Sequence, residues 1–161
     1  VFVKKKGCSK YSTTERFKQE LQNEKELQIY NPSTYLDFMK RVDKTRTNLV
    51  DLCKDLKSQG KSIWIYGAST KGNTILQYCG INKDLIDAAA DSNPFKIGKY
   101  IIGADIPIKD EEEMRITKPD YLLALPYSFV DGFMKREQDL IDNGTKFIVP
   151  LPEVKILPYV S

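Results

Sequence analysis

The sequence lacks histidine entirely among its 161 residues. Histidine is the commonest general base near neutral pH and the commonest metal ligand in proteins. Its absence therefore excludes, within this chain, the Ser-His and Cys-His pairs that activate enzyme nucleophiles. The same absence removes the imidazole ligands on which most metal sites depend.

Cysteine is scarce and scattered. Cys8, Cys53 and Cys79 are odd in number, lie far apart and form no Cys-x-x-Cys motif. Such spacing disfavours both a zinc site and a disulfide framework. We interpret each cysteine as a small apolar residue and predict a reducing, cytoplasmic location.

Long apolar runs and a strong charge of one sign are also missing. No stretch approaches the ~20 apolar residues of a membrane span, and no signal peptide is recognisable. The net charge is only +3, with basic and acidic residues interleaved, which does not favour nucleic-acid binding. The chain has the length of a single domain. It begins with Val1-Phe-Val3, which predicts a short strand, and has no Met, so we expect it to be cut from a longer protein.

The sequence does contain a strand–turn–helix pattern. Ser62–Tyr66 is apolar, β-branched and aromatic, which predicts a buried strand. Gly67 follows, and Gly72 precedes a segment with helical apolar spacing. A tight turn leading into a helix N-terminus is a phosphate-binding geometry, because the first helical N–H groups lack internal partners.

Two nucleotide-binding motifs match this turn only in part. The dinucleotide fingerprint requires Gly at positions one, three and six, where this chain has Gly67, Ser69 and Gly72. The Walker motif requires Gly-Lys-Ser/Thr, whereas Lys71 here precedes Gly72. Ligand binding and a turn that merely packs well both remain open.

Asp91 has two interpretations of equal weight. It lies 24 residues after Gly67, near the spacing of the ribose-binding acid in nucleotide-binding βαβ units. It also precedes Ser-Asn-Pro94, where an Asp side chain commonly closes a turn on its own backbone.

Alternating strands and helices predict the architecture. We expect helices over 12–27, with Ser12 as its cap, and over 33–58, with Ser33 as its cap. From residue 62 the pattern predicts a Rossmann-like α/β fold, with about five mostly parallel strands flanked by helices. A single helix is predicted over 129–142, and the acidic run 111–113 is expected to be solvated.

Several segments, in order, resemble a known family. They are Tyr66-Gly-Ala-Ser-Thr-Lys-Gly-Asn-Thr74, Tyr78-Cys-Gly80, Ala90-Asp-Ser-Asn-Pro94, Ile106-Pro-Ile108, Pro119-Asp-Tyr-Leu-Leu123 and Phe147-Ile-Val-Pro150. The series resembles the C-terminal domain of SAM-dependent sugar C-methyltransferases, which act on nucleotide-linked deoxyketosugars.

The resemblance implies a module of a larger enzyme. Residues 1–32 would link to a missing SAM-binding domain of the same chain, the expected partner, and 33–161 would form the C-terminal domain. S-adenosylmethionine and zinc would belong to the missing parts, leaving this fragment catalytically silent, with no cofactor or metal residue of its own. The expected ligand is a nucleotide-linked sugar, and the candidate nucleotide- and phosphate-binding residues are Gly67, Ala68, Ser69, Thr70, Lys71, Gly72, Asn73, Thr74, Asp91 and Tyr127.

Two other functions remain as alternatives. A stand-alone domain binding an NAD- or CoA-type nucleotide is favoured by Asp91 and disfavoured by Ser69 at the middle glycine position. The other alternative is a vestigial Rossmann domain that has only a structural role.

Overall fold

The computed structural model describes residues 3–158. Residues up to Val42 form one compact unit and residues from Asp43 onward form another. The predicted strand 1–3 falls largely outside the described part, and Val3 itself is not in a strand. The predicted domain boundary after residue 32 stays a prediction.

Two helices open the chain, and their caps differ from the predicted ones. Helix α1 spans Glu15–Glu26 and is capped by Thr14, whose Oγ1 accepts the Phe17 N–H at 3.3 Å. The predicted Ser12 cap is wrong because Thr14 already supplies this acceptor in an extended conformation. Helix α2 spans Pro32–Ser58.

The cap of α2 is also shifted by two residues. Asn31 Oδ1 accepts the Ser33 N–H at 3.0 Å, so Ser33 lies inside the helix and its predicted capping role is wrong. Pro32 explains the early start, since proline has no N–H to satisfy and its fixed φ suits the first helical position.

Seven short strands form one sheet. They are β1 Ile63–Tyr66, β2 Ala88–Ala90, β3 Tyr100–Ile101, β4 Ile106–Lys109, β5 Tyr121–Ala124, β6 Lys146–Val149 and β7 Lys155–Leu157. Their order is β3-β4-β2-β1-β5-β6-β7. The inner five strands are parallel, and β3 and β7 add antiparallel edges. The predicted Rossmann-like fold is confirmed, and the edge strands β3 and β7 extend the sheet beyond the five predicted strands.

Four further helices flank the sheet. They are α3 Thr70–Cys79, α4 Glu111–Thr117, α5 Val130–Arg136 and α6 Gln138–Asp142, with a 3₁₀ turn over Tyr127–Phe129. The single helix predicted over 129–142 is wrong, because the backbone leaves helical geometry at Glu137 (φ −105°, ψ 33°).

Side chains alternate across the sheet and build two separate cores. From β1, Ile63 and Ile65 pack with apolar residues of α2 and α3, such as Leu49 and Leu76. Trp64 belongs to the core on the other face. This alternation follows from the two-residue period of a β-strand.

No helix within residues 3–158 combines the length and apolar character that crossing a bilayer requires.

Candidate functional site

The carboxyl ends of three strands meet at one edge of the sheet. Tyr66, the last residue of β1, lies in register with Ala90 of β2 and Ala124 of β5. The chain proceeds from β1 first to one side of the sheet, through β2 and β4, and later to the other side, through β5 and β6. Ligands of open α/β sheets bind at such a switch point. The structure therefore places the loops after β1, β2 and β5 together.

Gly67 forms the first bend of the turn after β1. Its φ of +84° lies in the left-handed region, which side chains disfavour. A Cβ here would also lie 2.9 Å from Pro126 Cγ, in the loop after β5. Gly67 thus allows both the tight turn and the close approach of these two loops.

Gly72 lets the following helix approach the sheet. A Cβ at Gly72 would lie 2.4 Å from Leu125 Cβ, a separation that real Cβ atoms essentially never show. Close helix–strand packing is the role of the last glycine in the dinucleotide fingerprint. The first and last glycines of that motif therefore keep their structural roles in this chain.

Ser69 takes a different role from the missing middle glycine. Its Oγ accepts the Gly72 N–H at 3.0 Å and caps α3. The N–H groups of Thr70 and Lys71, the first two of α3, have no partner among residues 3–158. Lys71 is exposed, and within the same range its ammonium forms no ion pair. Two free donors and one free cation thus remain at the positive end of a helix.

Asp91 joins the loop after β2 to the turn. This carboxylate is 8% exposed; its Oδ2 accepts the Ala68 N–H at 3.0 Å and the Lys96 ammonium at 2.8 Å. Its Oδ1 accepts the Asn93 N–H at 2.9 Å, which is the turn-closing geometry considered as one alternative. Contact with a ribose stays a prediction.

Lys96 is a member of the site that sequence reasoning missed. Its ammonium also donates to the Ala68 carbonyl at 2.9 Å, so Lys96 links the Ala68 backbone to the Asp91 carboxylate. The only local signal was a lysine five residues after Asp91. The role of Lys96 is evident only in the folded chain, where its side chain contacts the turn after β1.

The remaining candidate residues lie in the first turn of α3 and after β5. Thr70 and Thr74 are exposed, whereas the Oδ1 atom of Asn73 is buried and has no partner in the described part of the chain. Tyr127 is half-buried and opens the 3₁₀ turn that follows Pro126. The structure thus brings the predicted residues of three segments to one edge, while their contacts with a ligand stay predictions.

With this geometry in place, comparison with known proteins is informative. A family described as "C-methyltransferase C-terminal domain" matches residues 1–152. The chain belongs to this family. This membership confirms the resemblance drawn from the sequence motifs.

A curated relative gives the same assignment. The chain is 32% identical over 123 residues to the C-methyltransferase NovU of Streptomyces niveus. The match covers 76% of this chain but 29% of NovU. The chain is thus a C-methyltransferase module that corresponds to less than a third of its relative's length.

A second polar cluster of the C-methyltransferase module lies around Tyr66, on the face opposite α3. The Tyr66 hydroxyl donates to Glu137 Oε1 at 2.7 Å and accepts from Arg136 Nε at 2.9 Å. Arg115 binds Glu137 with two parallel hydrogen bonds of 2.8 and 2.7 Å. Glu111 accepts from both arginines, at 3.1 and 2.9 Å. The expectation that the acidic run 111–113 is merely solvated is therefore wrong for Glu111.

The pKa values of Glu137 and Tyr66 shift in directions that favour a charged glutamate and a neutral tyrosine. Burial opposes ionisation of Glu137, but hydrogen bonds from Arg115 and Tyr66 outweigh it and hold the pKa of this carboxyl below its usual value. Burial, together with the bond to Glu137, raises the pKa of Tyr66 well above its usual value. The cluster therefore comprises a neutral tyrosine and mutually compensating charges.

Two cavities border this cluster. One of about 440 Å³ is lined by residues that include Arg115, Arg136 and Glu137. The other, of about 470 Å³, is lined by residues that include Phe129 and Phe133. The Gly67–Thr74 turn lines neither of these two cavities.

The three cysteines do not fit a zinc site. Burial raises the pKa of the Cys53 thiol to about 12, and burial also raises that of Cys79. Among residues 3–158, no three or more His, Cys, Asp and Glu side chains are placed to hold a metal ion together. Cys8, the third cysteine, lies in the other compact unit.

Proposed function

We propose that this chain is the C-terminal module of a SAM-dependent C-methyltransferase that acts on a nucleotide-linked ketosugar, and that the turn Gly67–Thr74 contacts the nucleotide diphosphate. Family membership supports the methyltransferase role. The nucleotide-binding role is supported by the free N–H groups of Thr70 and Lys71, which lie at the switch point of the sheet.

The chemistry of the turn suits a diphosphate. Unpaired N–H groups at a helix N-terminus offer fixed donors within a positive potential. Lys71 adds a mobile point charge, which favours phosphate oxygens without fixing their orientation. Ser69 occupies the position where glycine would allow the closest backbone approach, so the phosphate would lie nearer to Thr70 and Lys71 than to residue 69.

We assign SAM, zinc and the catalytic base to parts of the enzyme outside this chain, which contains no histidine. Asp91 stands at the spacing of a ribose-binding acid and already accepts hydrogen bonds from Ala68, Asn93 and Lys96. The chain alone would be catalytically silent, and its contribution would be to complete the fold and hold the nucleotide in the cytoplasmic enzyme.

A purely structural module is the second candidate. The N–H groups of Ala68 and Gly72 are already satisfied by Asp91 and Ser69. These contacts stabilise the turn without a ligand, as expected of a Rossmann domain that has lost its nucleotide. The two candidates differ in one measurable property, the affinity of the turn for a diphosphate.

Isothermal titration of the chain with dTDP and UDP tests the proposal. Lys71→Ala should weaken binding about tenfold, because one charge-assisted hydrogen bond is removed. Lys54→Ala, at another exposed lysine, is the matched control and should leave the affinity unchanged. Equal affinity of the two variants would remove Lys71 from the site. No detectable binding by the wild type would favour the structural module.

A further inference from the structure

The two loops at the switch point lead into helices on opposite faces of the sheet. Helix α3, which follows β1, contributes Leu76 to one core, whereas α5, which follows β5, packs against the other core through Phe133. The crevice between two such loops is where open α/β sheets bind nucleotides, and the ligand lies across it. The turn Gly67–Thr74 supplies one side of this crevice. The segment after β5 supplies the other side.

The two sides of the crevice are fixed against each other. A Cβ on Gly67 would lie 2.9 Å from Pro126 Cγ, so the loops after β1 and β5 touch at this point. The Phe133 ring lies 4.8 Å from the Tyr66 ring, measured between centroids. Tyr66 directly precedes Gly67, and the segment after β5 is therefore packed against the residues that begin the turn.

This segment contains the cavity of about 470 Å³ that borders the Tyr66 cluster. Its lining residues are Ser128, Phe129, Asp131, Gly132, Phe133 and Arg136. Small-ligand sites in proteins have volumes of about 300–1,000 Å³. Phe129 is 67% exposed, and its ring lies 6.4 Å from that of Phe133. A Cβ at Gly132 would meet no atom within 4 Å. The cavity thus has an uncovered aromatic ring beside open space.

Polar groups with unused hydrogen-bonding capacity line the same cavity. The side chains of Ser128 and Asp131 have no hydrogen-bond or ion-pair partner among the residues that the structure describes. Arg136 is held in place by Tyr66, to whose hydroxyl its Nε donates at 2.9 Å. Within residues 3–158, Nη1 of Arg136 forms no hydrogen bond. One space is therefore lined by a free acceptor, a free donor and an aromatic face.

A nucleobase has the complementary chemistry. Its flat face stacks on aromatic side chains, and its edge has both N–H donors and carbonyl or ring-nitrogen acceptors. We propose that this cavity binds the base of the nucleotide-linked sugar, with the base stacked on Phe129 and its edge toward Asp131 and Arg136. The diphosphate would then lie across the crevice, at the turn. This inference rests on the proposed function, because only a nucleotide ligand has a base.

Isothermal titration with dTDP and with inorganic pyrophosphate tests the base site. Phe129→Ala should weaken dTDP binding about tenfold, because the stacking partner is lost, and should leave the affinity for pyrophosphate unchanged. Phe129→Trp, which keeps an aromatic face, should bind dTDP at least as tightly as the wild type. Tyr100→Ala is the matched control and should change neither affinity. Tyr100 is also aromatic and is 64% exposed, but it lies in the edge strand β3.

Three results would overturn the base site. They are an unchanged dTDP affinity in Phe129→Ala, equal losses of dTDP and pyrophosphate affinity in that variant, or an equal loss of dTDP affinity in Tyr100→Ala. Lys71→Ala separates this inference from the proposed function. Pyrophosphate binding that depends on Lys71, together with dTDP binding that does not depend on Phe129, would refute the base site alone. A wild type that binds neither probe would refute both.

Discussion

Two polar regions begin at neighbouring residues, Tyr66 and Gly67, yet they differ in what they leave unpaired. The cluster around Tyr66 contains two arginines and two glutamates, all engaged with one another. The turn after Gly67 contains few charges but leaves the N–H groups of Thr70 and Lys71 without partners in the described chain. Free donors, and not the number of charges, mark the turn as the candidate binding site.

The Tyr66 cluster joins elements of the fold, whereas binding is the role that we propose for the turn. Glu137 is 2% exposed and joins β1, α4 and α5, so its cluster holds three elements together. The turn owes its shape to two glycines and to the pair Asp91 and Lys96.

We expect the largest loss of stability from a substitution in the Tyr66 cluster. Glu137→Ala should lower the free energy of unfolding by about 3 kcal/mol, because it leaves Arg115 and the Tyr66 hydroxyl without their buried partner. Urea denaturation measures this change. Glu112→Ala is the control, since Glu112 pairs with the same arginine but its side chain is 73% exposed, and it should cost less than about 1 kcal/mol. Similar losses in the two variants would contradict the structural role of the cluster.

Acid should weaken the same cluster. The pKa of Glu137 is lower in the folded chain than its ordinary value of 4.5, so its stabilisation is present above pH 4.5. That stabilisation is lost as the pH falls through the folded pKa. Urea denaturation from pH 7 to pH 3 should therefore show a smaller acid-induced loss for Glu137→Gln than for the wild type. Parallel curves would show that Glu137 does not contribute.

Gly72→Ala tests the close approach of α3 to the sheet. The new Cβ would overlap Leu125, and we expect a loss of about 2 kcal/mol from overpacking. Gly132→Ala, in α5, meets no atom within 4 Å and should be neutral or slightly stabilising. Thermal unfolding of the two variants measures the difference. A neutral Gly72→Ala would show that α3 does not pack closely on β5.

Ser69 should have a smaller effect on stability. Ser69→Ala removes the helix cap and should cost about 1 kcal/mol, whereas Ser69→Gly should cost only a few tenths. Both are measured by urea denaturation. Ser69→Gly also restores the full fingerprint, so its dTDP affinity should equal or exceed that of the wild type. Weaker binding by Ser69→Gly would mean that the serine hydroxyl itself contacts the ligand.

The sequence predicted the parallel strands because each is a short, buried, apolar run such as Ile63–Tyr66. The edge strands β3 and β7 contain only two and three residues, too few to show a period. The break at Glu137 was missed because no Gly or Pro marks it, and the Glu137 side chain bonds to Tyr66, which lies 71 residues away.

The sequence predicted only part of the candidate site. Gly67, Gly72 and their spacing are local and visible in the sequence. The roles of Asp91 and Lys96 depend on the Ala68 backbone, 23 and 28 residues away. The exposure of Phe38 and Met39 in α2 was not predictable, since a periodic apolar pattern does not tell which protein surface covers it.

The binding claim is tested most directly by a ¹H–¹⁵N NMR titration of the chain with dTDP. We predict that the amide resonances of Thr70 and Lys71 shift most, because their N–H groups are the free donors of the turn. The Arg115 guanidinium resonance should remain unchanged. Saturable binding that shifts the arginine resonances and leaves the amide resonances of Thr70 and Lys71 unchanged would contradict binding at the turn.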